Sequence, residues 1–163
     1  MATIRTATLV HEGGMRFVAA TGTKRTIVYG DQVPLGELSP MEVVTVSLGA
    51  CSAMDVISIA TKKRQRITDY RIHVEGVQRE EYPQVLTHVT VTHEVTGPHL
   101  EEAAIRRAIE LSALKYCPVN AMLSAGATEV RHGYVLHDTG PEPRDAEGEV
   151  VVTGPYRRPD VIP

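Results

Sequence analysis

The chain has no tryptophan, one phenylalanine and only two cysteines among its 163 residues. Without large aromatics the core must be aliphatic, and the 42% of hydrophobic residues, mostly Val, Ile, Leu, Ala and Met, can supply one. Two cysteines 66 positions apart are too few for a secreted disulfide scaffold and have no metal-ligand spacing. In a reducing compartment such a pair is either two inert buried thiols or a redox couple. The net charge is only −3, so no strong field draws nucleic acid or anionic lipid. Met1 to Thr6 lacks the apolar run of a secretory signal, and no continuous apolar stretch of about 18 residues is evident. A cytoplasmic protein without nucleic-acid or membrane partners is expected. No Gly-rich phosphate loop is present. His88 and His93, five apart on a strand pattern, fall on opposite faces, so no cofactor or metal is expected.

The elements follow from periodicity and punctuation. Thr3 to His11 alternates, Glu12-Gly13-Gly14 reads as a turn, and Met15 to Ala20 and Thr26 to Tyr29 read as two further strands. Ser39-Pro40-Met41-Glu42 then opens a long apolar helix running to Lys62-Lys63-Arg64. Ser39 suits the N-cap, Pro40 the first turn and Glu42 a capping box, and the closing cations favour a helix C-terminus. Apolar residues lie on nearly every face, which predicts a helix buried all round. Tyr70 to Val77 and Val85 to Val95 alternate as two long antiparallel strands. A second helix spans about Pro98 to Tyr116, a third runs from Pro118 to near Gly126, and Ala127 to His137 is a last strand. The fold class is α+β. Residues 1–137 form one domain, and residues 138–163 read as a Pro/Gly-rich extension with one strand-like island at Val150 to Val152.

Cys51 sits mid-helix in Ser47-Leu48-Gly49-Ala50-Cys51-Ser52-Ala53, where small neighbours leave room for approach to the sulfur. Cys117, in Lys115-Tyr116-Cys117-Pro118-Val119, falls at a helix N-cap, where backbone N–H groups can stabilise a thiolate. With Ser39-Pro40-Met41-Glu42, these two motifs resemble the osmotically inducible protein C family, which includes the organic hydroperoxide resistance proteins. The resemblance covers residues 4 to 137. It implies long central helices wrapped by antiparallel sheet in a domain-swapped homodimer. It also implies that Cys51 is oxidised by a hydroperoxide to a sulfenic acid, that Cys117 resolves it as a disulfide, and that an external dithiol reduces that disulfide. A redox-sensing or small-molecule-binding stress protein on the same fold is the second reading, and a dimer with inert core cysteines the third.

The sequence offers Cys51 little activation. It lies about 16 Å from the helix start, beyond the reach of the macrodipole. No Lys or Arg occurs between Pro40 and Thr61, and Asp55 at i+4 opposes ionisation of the thiol. The family resemblance implies an early Arg and a Glu just after the helix-opening Pro. Here Met41 holds that second position, and Glu42, about 180° around the helix from Cys51, is explained by capping. Arg16 and Arg25 are the candidate cations.

Overall fold

A computed structural model describes residues 7–13, 16–21, 26–29 and 36–155. The chain divides into two compact units, Met1–Val44 and Thr45–Pro163. In the first, β1 (Ala7–His11), β2 (Phe17–Thr21) and β3 (Thr26–Tyr29) form the expected antiparallel meander. Residues 3–6 of the predicted first strand lie outside the described residues.

Helix α1 spans Pro40–Lys62. Its predicted capping box is present: the Ser39 N–H donates to Glu42 Oε2 at 2.7 Å, and the Glu42 N–H donates to Ser39 Oγ at 3.3 Å. These two bonds satisfy donors that a helix start otherwise leaves orphaned. At the far end Arg64 adopts a left-handed φ of 58° and stops the helix.

The second unit is built on a four-stranded sheet in the order β4 (Asp69–Gln78), β5 (Leu86–Gly97), β6 (Glu129–Asp138), β7 (Arg144–Thr153). The β5–β6 pairing is parallel and the others are antiparallel, so the sheet is mixed rather than purely antiparallel as expected. The parallel step arises because α2 (Glu102–Leu111), a π-helical turn (Ser112–Tyr116) and α3 (Pro118–Ser124) make the crossover between these strands.

The predicted C-terminal extension needs correcting. Its residues 144–153 are β7, paired along β6 from Val130↔Thr153 to Asp138↔Arg144. The acidic run Asp145 to Glu149 is the charged edge strand of the sheet, with Glu149 bonded to Arg131 and Asp145 to His137. Gly154 anchors its end at φ +62°; a Cβ there would lie 2.3 Å from the Thr128 carbonyl oxygen.

One aliphatic cluster joins these layers: Val56 and Ala60 of α1, Ile105, Ala108 and Ile109 of α2, Val95 of β5, and Tyr134 and Leu136 of β6. Each fully buried Val, Leu or Ile contributes roughly 1.5–3 kcal/mol by leaving water. Gly49 lets α1 approach β4 closely, since a Cβ there would meet Val74 Cγ2 at 3.1 Å. The Glu101 N–H, at the start of α2, is capped by Gln65 Oε1 at 2.8 Å, which ties the α1 terminus to α2.

Helix α1 is not buried all round, as its sequence suggested. Leu48, Gly49, Ser52, Val56 and Ala60 form its buried stripe, while Val46 is 60% and Met54 74% exposed in the single chain. Its composition also corrects the expectation about long apolar stretches. An 18-residue window of α1 has a mean hydropathy of 1.8, enough by length and composition to cross a bilayer, although Val56 and Ala60 pack in the core just described.

Candidate active site

The two cysteines come together. Cys51 Sγ, Cys117 Sγ and a carboxylate oxygen of Asp55 all lie within 4.8 Å of one another. Both cysteines are free thiols; Cys51 is half-buried and Cys117 buried. Asp55 follows Cys51 by four residues, so regular helix geometry puts both on one face of α1.

Cys117 arrives by a specific backbone route. As the N-cap of α3, its Sγ accepts the Asn120 N–H at 3.3 Å, in the role the sequence assigned to it. The preceding π-helical turn has a shifted hydrogen-bond register. In an α-helix the Cys117 N–H would bond the Ala113 carbonyl, which here accepts from Asn120 Nδ2 at 2.9 Å. The Cys117 N–H instead reaches back to Ser112 at 2.9 Å, the wider register that defines a π turn.

The same turn brings Ser112 to the carboxylate. Ser112 Oγ donates to Asp55 Oδ2 at 3.0 Å and lies 3.3 Å from Ser52 Oγ. With the Ser112 proton committed to Asp55, Ser52 is the donor in the second contact. A buried chain Ser52→Ser112→Asp55 therefore fixes the carboxylate beside the sulfurs.

Burial, with a further contribution from Cys51, pushes the Cys117 thiol up to about 12, despite the Asn120 N–H. Cys117 therefore keeps its proton at neutral pH and can donate it toward Cys51. Two thiolates and a carboxylate are also the donor set among these residues that could hold a metal ion.

A second chain of polar groups was not anticipated from sequence. Asn120 gives its side-chain protons to Ala113 and, at 3.1 Å, to Thr153 Oγ1, so its Oδ1 accepts from His132 Nε2 at 2.9 Å. A neutral His132 then accepts at Nδ1 from His93 Nε2, 3.3 Å away, and His93 Nδ1 accepts from the Tyr70 hydroxyl at 2.6 Å. Both imidazoles are held neutral. Burial pushes His132 down to about 4, and burial together with His132 pushes His93 down to about 3. A run Tyr70→His93→His132→Asn120 thus ends at the residue whose N–H touches the Cys117 sulfur. One sequence signal was available: His93 shares the strand parity of Val89, Val91 and Val95.

The remaining candidates are engaged elsewhere or not described. In the first unit Arg16 pairs with Glu12 at 2.9 Å and with Glu37. Arg25 lies outside the described residues, and Glu42 is committed to Ser39. Among the described residues Asp55 forms no ion pair.

An α+β domain in which a core helix and the cap of a short helix bring two free thiols together is a dithiol protein by construction. The comparisons specify which kind: the family described as OsmC-like protein matches residues 31–132, and the chain belongs to the OsmC family. It is 39% identical over 125 residues to protein YhfA of Escherichia coli K12, covering 74% of this chain and 90% of that one. Among solved structures, a hypothetical protein from Aquifex aeolicus VF5 is similar with a TM-score of 0.75 and 28% identity, over 86% of this chain and 100% of that chain. An organic hydroperoxide resistance protein OsmC from Legionella pneumophila has a TM-score of 0.62 at 14% identity, over 81% of this chain and 96% of that chain, which shows the shared fold.

Proposed function

We propose that this protein is a thiol-dependent peroxidase that reduces organic hydroperoxides in the cytoplasm as a homodimer. The meeting of the Cys51 and Cys117 sulfurs carries this reading. Cys51, half-buried among small residues, attacks the terminal peroxide oxygen as a thiolate. The O–O bond breaks, the alkoxide leaves and takes a proton as the alcohol, and Cys51 becomes a sulfenic acid. Cys117 then attacks the Cys51 sulfur, the S–O bond breaks, and water leaves with the Cys117 proton as the disulfide forms. An external dithiol restores both thiols by exchange. An alkyl chain gains by leaving water for any apolar surface it covers, each buried methylene being worth up to about 0.8 kcal/mol.

The test is thiol-trapping mass spectrometry after one equivalent of alkyl hydroperoxide. The wild type should show a Cys51–Cys117 disulfide, and Cys117→Ser should show sulfenic acid on Cys51 alone. Modification of Cys117 with Cys51 untouched would reverse the roles, and no oxidation of a folded protein would remove the activity. The burial of Cys117, which limits the access of an external dithiol to the resolving sulfur, favours one second reading, a slow redox sensor. Steady turnover with a dithiol donor separates the two.

A further inference from the structure

We propose that the reduced Cys51–Cys117 pair and Asp55 form a binding site for a thiophilic divalent cation, with Zn²⁺ the best match. The inference goes beyond the peroxidase reading and stands on the geometry of three side chains. Their donor atoms already lie within 4.8 Å of one another. Around a zinc ion, with bonds of about 2.3 Å to sulfur and about 2.0–2.2 Å to a carboxylate, three ligands come to rest roughly 3.5–4 Å apart. Two of the three donors, Cys51 and Asp55, are half-buried on one face of α1, and the third, Cys117, is buried at the α3 cap.

The supporting hydrogen bonds suit ligands. Asp55 Oδ2 is held by Ser112, itself held by Ser52, and Cys117 Sγ receives the Asn120 N–H. Such outer contacts orient a carboxylate and a thiolate toward a metal. The charge balance points the same way. Once a metal has displaced both thiol protons the three ligands carry three negative charges, and Asp55 has no ion pair among the described residues. No Lys or Arg occurs on α1 between Pro40 and Thr61 to supply a countercharge. A divalent ion would supply it. Two sulfurs and one oxygen select a borderline-soft ion over Mg²⁺ or Ca²⁺, and three protein ligands leave the fourth tetrahedral position open.

Binding releases the two thiol protons to solvent and forms two metal–sulfur bonds. A disulfide between Cys51 and Cys117 removes both thiolates, so oxidised protein cannot bind. The metal would therefore protect the thiols, and its loss would accompany disulfide formation.

The experiment is an anaerobic titration of the reduced protein with Co²⁺, followed by displacement with Zn²⁺ and a chromogenic-chelator competition for stoichiometry. One equivalent with a thiolate-to-cobalt charge-transfer band is expected, with tetrahedral d–d bands that vanish on adding Zn²⁺. Cys51→Ser and Cys117→Ser should each weaken the charge-transfer band. Asp55→Asn, which keeps the shape and a bond to Ser112, should lower affinity by about tenfold or more. Protein oxidised with diamide should not bind. Binding without a charge-transfer band, equal affinity in Asp55→Asn, or full binding by the disulfide form would each overturn the site. None of these readouts depends on peroxide turnover, so failure of the peroxidase reading leaves them interpretable.

Discussion

His93 Nε2 lies 3.3 Å from His132 Nδ1, and both rings are wholly buried. The groups facing this pair are Tyr70 from β4 and Asn120 from α3. Burial pushes the Tyr70 phenol up, so it remains a neutral donor. The pair therefore has a predictable acid response. With pKa values of about 4 and 3 in the fold, against roughly 6.5 in an unfolded chain, both histidines take up protons on unfolding first. Their stabilisation is complete above about pH 6.5 and is lost as pH falls toward 4 and then 3. At pH 5 each has lost about 2 kcal/mol relative to neutral pH. Urea denaturation at pH 7.5 and pH 5 should show a fall of that order per histidine. His93→Gln should make the pH dependence shallower; an unchanged slope would mean the rings are not held neutral.

Gly97 ends β5 where the chain joining α1 to β4 crosses it. A Cβ at this position would sit 2.0 Å from the Arg66 carbonyl oxygen, which is backbone and cannot rotate away. Gly97→Ala should therefore destabilise the protein by about 1–3 kcal/mol or more, as overpacking does. The check is a denaturation midpoint. Gly49→Ala, whose nearest contact is a Val74 methyl at 3.1 Å, should cost less, because a side chain can yield.

The exposed stripe of α1 calls for a cover. Val46, Met54 and Ile57 leave a long helix half wet in the single chain, at roughly 25 cal/mol for each Å² of apolar surface exposed. In the homodimer proposed above, a second copy covers it. Sedimentation should find a dimer at micromolar concentration, and Val46→Lys with Met54→Lys should give monomer or aggregate. A wild-type monomer that stays folded and soluble would count against the dimer.

These features were unequally legible. The capping box of α1 could be read from Ser39 to Glu42 because its physics is local, and so could the N-cap position of Cys117 before Pro118. Strand β7 could not, because the Asp, Glu and Gly residues of its first half have weak strand propensity and β6 supplies the pairing. The wet face of α1 was missed because a sequence lists apolar residues without saying which of them a single chain covers. The two histidines meet only through the parallel register that sets Val91 opposite His132 and His93 opposite Tyr134, a relation between residues 39 positions apart. Asp55 was visible as a neighbour of Cys51, but its closeness to Cys117 depends on the π turn.

That turn gives the last prediction. Asn120 holds the Ala113 carbonyl and so keeps the backbone before Cys117 in its wide register, while its own N–H touches the Cys117 sulfur. Asn120→Ala leaves the Ala113 carbonyl and the His132 N–H without these partners, at about 1–3 kcal/mol for each buried group. Cys51 is untouched by the change. In the proposed cycle, formation of its sulfenic acid should proceed at the wild-type rate, while disulfide closure should slow by about tenfold or more, since small misplacements of a reacting group cost that much. Thr153→Val removes the secondary contact of Asn120 at 3.1 Å and the Thr153 hydroxyl bond to the Val130 carbonyl, but leaves the Ala113 bond in place, and should leave closure near the wild-type rate. Rapid mixing with an alkyl hydroperoxide, quenched at intervals with a sulfenic-acid trap, resolves the two steps. If Asn120→Ala closes the disulfide as fast as the wild type, the turn holds its shape without the asparagine and Asn120 has no positioning role.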